Sequence, residues 1–343
     1  MQRVENSNNF NMRLFLILLI MGPVFQVSGQ DIVIEHTYED RIDASTIADA
    51  VEFIDLDRHC FNISHLVIDD KYLIVSPGEE HLKGFSKSVS LYSKEGTFIQ
   101  ELYRGQNTIV ALAYDSGNEL LYIAHHIEIV VYDVRQRNQK TRFEVKDIVS
   151  NIMFFQGKVY IGTVKHEPEK KTYLIETFDG KNYKPVKTSL ETGYDTEKAH
   201  PAAKAVSRRN SFSSGNGSLY VSYGEANDIY ASDNEFKRPV VRFKNLYQPG
   251  DGIFDIFMSH NQGIIGRFAT TSFRSRGRSC LLFYDLKNRK QHLSESTNKS
   301  GLYDDFNGSG YYIPRFTNLN PYMYAYTNKD ETQTSIVLFK IKP

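Results

Sequence analysis

Short apolar strands and tight polar turns alternate along this chain and recur at a spacing of about fifty residues. In each repeat an apolar strand follows a turn, and a second apolar run comes after a connection of variable length. The strands that mark the six repeats contain, in order, Tyr72, Tyr122, Tyr160, Tyr220, Ile264 and Met323. A repeat of this length with several strands in each unit is typical of a β-propeller, in which each repeat forms one blade.

The strands are apolar on both faces. Residues 120–123 read Leu-Leu-Tyr-Ile and residues 280–284 read Cys-Leu-Leu-Phe-Tyr, without alternation of apolar and polar side chains. A strand with one solvated face alternates, so these strands are expected to be covered from both sides, as in blades stacked face to face. Turns rich in Gly, Asn and Asp separate them, and no stretch shows sustained helical periodicity. The sequence therefore predicts an all-β fold, a six-bladed β-propeller.

The last repeat lacks an outer strand. It stops after a third strand at residues 335–342, and nothing follows that could pair beside it. Residues 47–56, which precede the first repeat, are apolar and have no other partner. Because an unpaired strand edge is a liability, we expect this N-terminal strand to complete the last blade and close the ring. Residues 32–35 are expected to extend the same closure.

The N-terminus has the pattern of a cleavable export signal. A basic residue and a short apolar run at residues 13–20 precede small residues at Val27, Ser28 and Gly29. The run is too short for a membrane span, and no cysteine at the cleavage point could take a lipid. The prediction is a signal peptide at residues 1–29, with translation starting at Met1 or Met12, and one propeller domain at residues 30–343. Such a protein is periplasmic or secreted.

Lysine plus arginine and aspartate plus glutamate number 41 each, so the overall charge gives no reason to expect nucleic acid as a partner. The two cysteines, Cys60 and Cys280, would form a disulfide only if the ring brought them together, and two buried thiols are the alternative. No cofactor is expected, because phosphate-cradling loops of the Walker type, Gly-x-Ser-x-Gly, His-x-x-x-His and Cys-x-x-Cys are all absent.

The sharpest local feature is a run of three arginines, Arg274, Arg276 and Arg278, in a long loop between the second and third strands of the fifth repeat. Alternate spacing in an extended segment puts the three guanidinium groups on one side, which suits a carboxylate or sulfate ligand. A solvated basic loop is the alternative. Arg267 and Arg315 follow apolar strands and are candidates to point into the channel, with a bridge to an acid of a blade as an equally good explanation.

Asp304 and Asp305 lie beside a glycine-rich turn at residues 307–310. Two carboxylates can bind a metal or act as acid and base, but neighbours in an extended segment face opposite ways, and the spacing does not match an EF-hand loop. The alternative is a turn whose carboxylate accepts backbone hydrogen bonds. The adjacent His125 and His126 fail as a metal pair for the same reason of alternation.

Several segments carry a resemblance to a known group. Residues 50–56, 72–75 and 89–99 resemble the start of the exported bacterial six-bladed propellers of the TolB-like and NHL-like kind, and residues 264–268 and 303–314 resemble late-blade segments of that group. The resemblance implies a propeller and export, and it implies no activity, because the shared motifs are mostly structural. In place of the Gly-x-Gly-Pro turn that usually follows the first blade of such proteins, this chain has residues 104–108, Arg-Gly-Gln-Asn-Thr.

Three functions remain open on the sequence. The first is an exported monomer that binds an oligosaccharide or peptide on its loop-rich channel face, with the ligand held by the candidate residues Arg267, Arg274, Arg276, Arg278, Asp304, Asp305 and Arg315. The second is a lyase or hydrolase that acts on an acidic polysaccharide and uses the arginines to hold carboxylate or sulfate. The third is an interaction scaffold in an envelope assembly, which predicts an apolar patch and no deep pocket. The fold alone does not choose among them, since propellers carry many functions.

Overall fold

A computed structural model describes residues 29–82, 85–167, 170–195, 210–215, 217–223, 228–244, 254–259, 263–270, 278–317, 322–328 and 332–342. The described chain begins with three strands, each in a different sheet, and a single helical turn between the second and third of them. They are β1 (Gln30–Val33), β2 (Arg41–Asp43), α1 (Ala44–Ile47) and β3 (Ala48–Leu56). Short 3₁₀ turns occur at Glu80–Leu82 and Ser232–Asn234.

The next strands form three antiparallel sheets of four, each built from consecutive chain. The first contains β4 (Asn62–Ile68), β5 (Tyr72–Gly78), β6 (Ser88–Ser93) and β7 (Phe98–Arg104). The second contains β8 (Ala111–Asp115), β9 (Leu120–Ala124), β10 (Glu128–Asp133) and β11 (Asn138–Glu144). The third contains β12 (Ile148–Phe155), β13 (Lys158–His166), β14 (Lys170–Asp179) and β15 (Pro185–Asp195).

Three of the remaining four sheets each include one of the N-terminal strands. The fourth contains β16 (Asn210–Gly215), β17 (Ser218–Tyr223), β18 (Asp228–Ala231) and β19 (Pro239–Lys244), with β1 added outside β19. The fifth contains β20 (Phe254–Ser259), β21 (Gly263–Thr270), β22 (Arg278–Asp285) and β23 (Lys290–Glu295). The sixth contains β24 (Gly301–Asp304), β25 (Gly310–Tyr312) and β2, and the seventh contains β26 (Arg315–Phe316), β27 (Tyr322–Asn328), β28 (Thr334–Ile341) and β3.

The fold is an all-β propeller, but the prediction of six blades is wrong, because the described strands form seven sheets. The six marker residues each lie in the second strand of a blade. The blade that the repeat missed is the sixth, whose two short strands β24 and β25 take their third strand, β2, from the N-terminus. It lies toward the outside of the ring, since the first strands of the fifth and seventh sheets, β20 and β26, contact each other.

The core lies between adjacent blades, as expected for strands that are apolar on both faces. Between the first and second blades Val67, Ile74 and Leu91 pack against Leu121 and Ile123. The other interfaces are built in the same way, and Tyr92, Tyr122 and Tyr173 are among the largest side chains that are completely buried. Each blade is therefore stabilised by both of its neighbours.

The predicted ring closure is confirmed. Strand β3 pairs antiparallel with β28, in a register that places Leu56 opposite Thr334 and Val51 opposite Phe339. The expectation for residues 32–35 is wrong: β1 pairs in parallel with β19 of the fourth blade. The short segment between β1 and β2 contacts the fifth blade, where the Glu39 backbone N–H donates to the Leu293 carbonyl at 2.7 Å. The N-terminal chain thus runs along the outer edges of the fourth to seventh blades.

The closing strand also fixes a turn of the first blade. Gly96 has a φ of 90°, a conformation that favours glycine. A Cβ atom at this position would overlap the carbonyl oxygen of Asp55, at the end of β3. The Asp57 backbone N–H donates to the Gly96 carbonyl at 3.1 Å, so the first and seventh blades meet backbone to backbone here.

The two cysteines do not form a disulfide. Cys60 is buried between the seventh and first blades, and Cys280 is buried between the fourth and fifth. Burial is the main influence on the Cys60 thiol and raises its pKa, against a smaller lowering by its contact with Tyr92. Among the described residues, no helix has the length and apolar character needed to cross a bilayer.

Loss of packing on β28, the strand that pairs with the closing strand β3, should destabilise the ring. Phe339 is completely buried and its ring lies 5.9 Å from the ring of Tyr312, so Phe339→Ala should cost about 3–5 kcal/mol of unfolding free energy. The neighbouring Lys340 points outward, and Lys340→Ala is the matched control, with an expected change within about 0.5 kcal/mol. Chemical denaturation measures both. Equal stability of the two variants would contradict closure through β28.

Candidate ligand-binding face

One face of the ring, here called the channel face, carries two kinds of connection. Strands alternate in direction within each blade, so the loop between the second and third strands and the connection to the next blade emerge at the same end of the sheet. In the first two blades these connections are residues 79–87, 105–110, 125–127 and 145–147, and residues 57–61 join the seventh blade to the first. Loops that a rigid scaffold positions in this way commonly carry binding residues.

Four large apolar side chains are exposed on the channel face of the first, second and seventh blades. They are Phe61 (46% exposed), Phe85 (56%), Ile127 (40%) and Ile313 (42%). Hydrogen bonds hold the backbones of two of them in place. The Phe61 carbonyl accepts from the Asn328 side chain at 3.3 Å, and the Phe85 N–H donates to the Leu82 carbonyl at 3.1 Å. Exposed apolar side chains that share one face are typical of interaction sites.

Several charged groups beside these loops form ion pairs with one another. The Arg104 guanidinium contacts Glu101 at 2.6 Å and Glu79 at 3.7 Å. Arg142 contacts Glu128 at 3.3 Å, and Lys165 and Glu167 form a similar pair at 2.7 Å. Because these basic groups are matched by acids, this part of the face does not present the net positive charge that an acidic polysaccharide would require.

Arg267 and Arg315 both lie near the channel, and the structure gives each a main-chain partner. Arg267 donates from Nη1 to the Pro314 carbonyl at 3.3 Å. Arg315 donates from Nη1 to the Ile63 carbonyl at 2.6 Å, and its guanidinium lies 4.9 Å from the centre of the Tyr326 ring. These bonds join the fifth blade to the seventh and the seventh to the first, which gives the two arginines a structural role.

The arginine loop lies largely outside the described residues. Arg274 and Arg276 fall there completely. Arg278 begins β22, where its backbone pairs with that of Thr270. The predicted alignment of the three guanidinium groups therefore stays a prediction.

Asp304 is the anchor of a turn. Its carboxylate is buried and accepts hydrogen bonds from the backbone N–H groups of Phe306 and Asn307, both at 3.1 Å, and from the hydroxyl of Ser309 at 2.5 Å. The Asn307 side chain donates to the same carboxylate. These bonds fill the acceptor positions of Asp304, in agreement with the turn that was one of the two interpretations of this segment.

Asp305 faces away from Asp304 and binds the N-terminal chain. Its Oδ1 accepts from the backbone N–H of Ser45 at 2.8 Å, which connects the sixth blade to α1. Partial burial is the largest single influence and raises the pKa of Asp305, but the hydrogen bonds from Ser45 and neighbouring backbone groups together outweigh it, so that the pKa is lowered. The two aspartates do not converge on one site.

A buried histidine on this face makes a contact between blades that was not predicted from the sequence. His125 lies between the first two blades, with Nδ1 3.2 Å from the Thr108 carbonyl and Nε2 3.0 Å from the Tyr103 hydroxyl. Because a carbonyl only accepts, Nδ1 carries the proton and Nε2 accepts from Tyr103. His126 is exposed, so the two histidines face opposite ways, as the alternation predicted. Nothing in the sequence around His125 indicates its contact with Tyr103, which is in another blade.

Burial raises the pKa of two acids, Asp228 in β18 and Glu176 in β14. Asp228 lies 3.9 Å from the Arg242 guanidinium, whose charge lowers its pKa by a smaller amount. Glu176 is half-buried, where a hydrogen bond from the Thr163 hydroxyl at 3.3 Å lowers its pKa and the charge of Asp147 raises it further. The two acids belong to different blades. In the described part of the chain, no group of three or more His, Cys, Asp or Glu side chains is placed to hold a metal ion.

Comparisons with known proteins bear on the fold. No protein-family model matches the chain, and no curated protein matches it. Among solved structures, the WD40 domain of Pan2 from Neurospora crassa covers 82% of this chain and 76% of its own, with 12% identity and a TM-score of 0.45. The hydrazine synthase of Kuenenia stuttgartiensis covers 78% and 74%, with 12% identity and a TM-score of 0.47. Similarity at this level concerns fold alone, and the propeller assignment rests on the strand pairing described above.

The turn at Asp304 supplies the first test of this site. Asp304→Ala removes the acceptor for at least two backbone N–H groups and should lower the unfolding free energy by about 1–3 kcal/mol. Thermal unfolding with and without calcium measures the effect. If calcium stabilises the wild type and Asp304→Ala abolishes that stabilisation, the carboxylate is a metal ligand and the turn is not its main role.

The lowered pKa of Asp305 predicts an acid-dependent loss of stability. A carboxyl whose pKa is lower in the folded state stabilises the protein above the pKa of the unfolded chain, about 3.9, and that contribution disappears as the pH falls through the folded pKa. The stability difference between wild type and Asp305→Ala should therefore be largest near neutral pH and shrink below about pH 4. Asp305→Asn, which keeps an acceptor oxygen but does not titrate, is the control. A difference that does not change with pH would contradict the assignment.

Proposed function

We propose that this protein is an exported, non-catalytic binding protein that holds a peptide or a protein segment on its channel face. The observation that carries the proposal is the set of four exposed apolar side chains, Phe61, Phe85, Ile127 and Ile313, on three adjoining blades of that face. Two of the four are isoleucines, which do not stack on sugar rings, so the patch favours a peptide over an oligosaccharide. A protein of the cell envelope is one form that such a ligand can take.

Export fits the arrangement of the described chain. Strand β1 begins at Gln30, the first residue after the predicted cleavage point, so that removal of residues 1–29 would leave every described strand in the mature protein. The resemblance to exported bacterial propellers of the TolB-like and NHL-like kind agrees with such an origin. Both arguments support export to the periplasm or the medium as part of the proposal.

The alternative, a lyase or hydrolase acting on an acidic polysaccharide, has less support. It needs free guanidinium groups and a converging acid and base near the channel. Arg267 and Arg315 each donate to a main-chain carbonyl, and Asp304 and Asp305 face different partners. Arg104 and Arg142, beside the loops of the first two blades, are each paired with an acid.

A peptide selected on the wild-type protein from a random displayed library tests the proposal. Replacing Phe61 and Phe85 together by serine should weaken its binding at least about tenfold, because aromatic anchors dominate interfaces of this kind. The fold should remain intact, since both side chains are exposed. Isothermal titration calorimetry measures the affinity, and far-UV circular dichroism checks the fold.

The matched control is Val186→Ser, which removes an exposed apolar side chain on the outer strand of the third blade. This variant should bind the selected peptide as the wild type does. If both variants bind with wild-type affinity, the peptide uses another surface and the channel-face proposal fails. Depolymerisation of uronic or sulfated glycans by the purified protein would instead establish the enzyme.

A further inference from the structure

The outer edge of the fourth blade holds a strand that comes from far away in the chain. In β1, Gln30 pairs with Val241 and Val33 with Lys244, in parallel, and the Ile34 N–H donates to the Lys244 carbonyl at 2.9 Å. A parallel pair cannot be closed by a tight hairpin, and here residues 34–238, which include the first three blades, separate the two strands. The attachment of β1 therefore depends on the contacts it makes with this edge.

The side chains of the segment alternate between buried and exposed. Ile32 and Ile34 are 1% and 2% exposed, whereas Val33 between them is 58% exposed. The two isoleucines enter an apolar cluster between the fourth and fifth blades, which includes Ile229, Val241, Phe243, Leu282 and Leu293. The edge thus presents two apolar pockets at the spacing of alternate residues in an extended peptide.

The polar contacts of the segment are to its backbone. Gln291 of the fifth blade accepts from the Glu35 N–H at 3.0 Å through Oε1, and its Nε2 donates to the Glu35 carbonyl. Asp31 lies 3.8 Å from the Lys244 ammonium, a weak exposed pair. Backbone bonds provide affinity and the two pockets provide selectivity, which is how proteins recognise peptides by adding a strand to a sheet edge.

We propose that this edge is a strand-acceptor site, and that it takes residues 30–35 of a second copy of this chain as well as those of its own. Every contact just described joins the segment to the fourth or fifth blade, so the same contacts form whichever copy provides the segment. Residues 37–40, which follow, are exposed and connect the segment to β2, and they can serve as the hinge once the contacts of Glu39 with Leu293 and His292 are released. The site lies on the outer edge of the ring and is independent of the channel face.

The protein concentration then determines whether each copy binds its own segment or that of a second copy. Within one chain the tethered segment has an effective concentration of about a millimolar, so a dilute protein keeps its own strand. Warming releases the segment, and a high protein concentration then favours its capture by a second copy.

The first test uses the full chain and a labelled synthetic peptide of residues 29–36. In the variant Ile32→Ser/Ile34→Ser the protein's own strand no longer fills the pockets, and the peptide should bind at least about tenfold more tightly than it binds the wild type, by fluorescence anisotropy. The variant Val33→Ser changes the exposed residue between them and should bind as weakly as the wild type. A peptide with both isoleucines replaced by serine should not bind the double variant.

The second test measures exchange directly in the wild type. Two preparations with different fluorescent labels are concentrated, warmed below the unfolding transition, cooled and diluted. Energy transfer and a dimer mass by light scattering should develop in wild type and in Val33→Ser, and should be absent in Ile32→Ser/Ile34→Ser.

Two outcomes overturn the proposal. Wild type that remains monomeric and shows no transfer at any concentration means that β1 is an intramolecular strand only. Equal peptide affinity for the folded double variant and the wild type means that the peptide does not use these pockets. The exchange measurement on the wild type decides the question if the double variant does not fold.

Discussion

The structure depends on the antiparallel pairing of β3 with β28. Without it, the seventh blade would end in an open edge, and the first and seventh blades would lose the strand that lies between their ends. The pairing joins residues near the two ends of the described chain, so its entropic cost is that of closing almost the whole ring. The buried side chains of β28, such as Ile336 and Phe339, contribute the apolar burial that offsets this cost.

Because the ring closes at its outer edge, the exposed apolar side chains of the channel face have no part in the closure. The strands bury both of their faces against neighbouring blades, and the closing contacts use the outer strands and the turns at Gly96 and Asp304. The loops around Phe85 and Ile127 therefore contribute little to the core, which is why their apolar side chains can remain exposed. A face of this kind can change its loops without loss of the scaffold.

How much could be predicted from the sequence depends on how local each signal is. The second strands, the hairpin turns and the closing strand were predictable, because apolar runs and turn residues are read within a few positions. The sixth blade was not, since Leu302 pairs with Ile42 in the distant strand β2 and both strands of its hairpin are short. The position of β1 escaped for the same reason: nothing in residues 30–35 indicates a parallel partner at Val241.

The candidate site shows the same limit in its chemistry. From the sequence, an arginine that follows an apolar strand is a candidate to bind a ligand in the channel. In the structure, Arg267 and Arg315 donate to the carbonyls of Pro314 and Ile63. These acceptors are backbone groups outside the arginine's own blade, so the sequence around the arginine does not indicate them. Asp304 was easier, because the acceptor of an Asx-type turn lies within a few residues of its donors. We therefore expect the function of this propeller to depend on side chains that have no structural role in the fold. The exposed apolar side chains of the channel face are such groups.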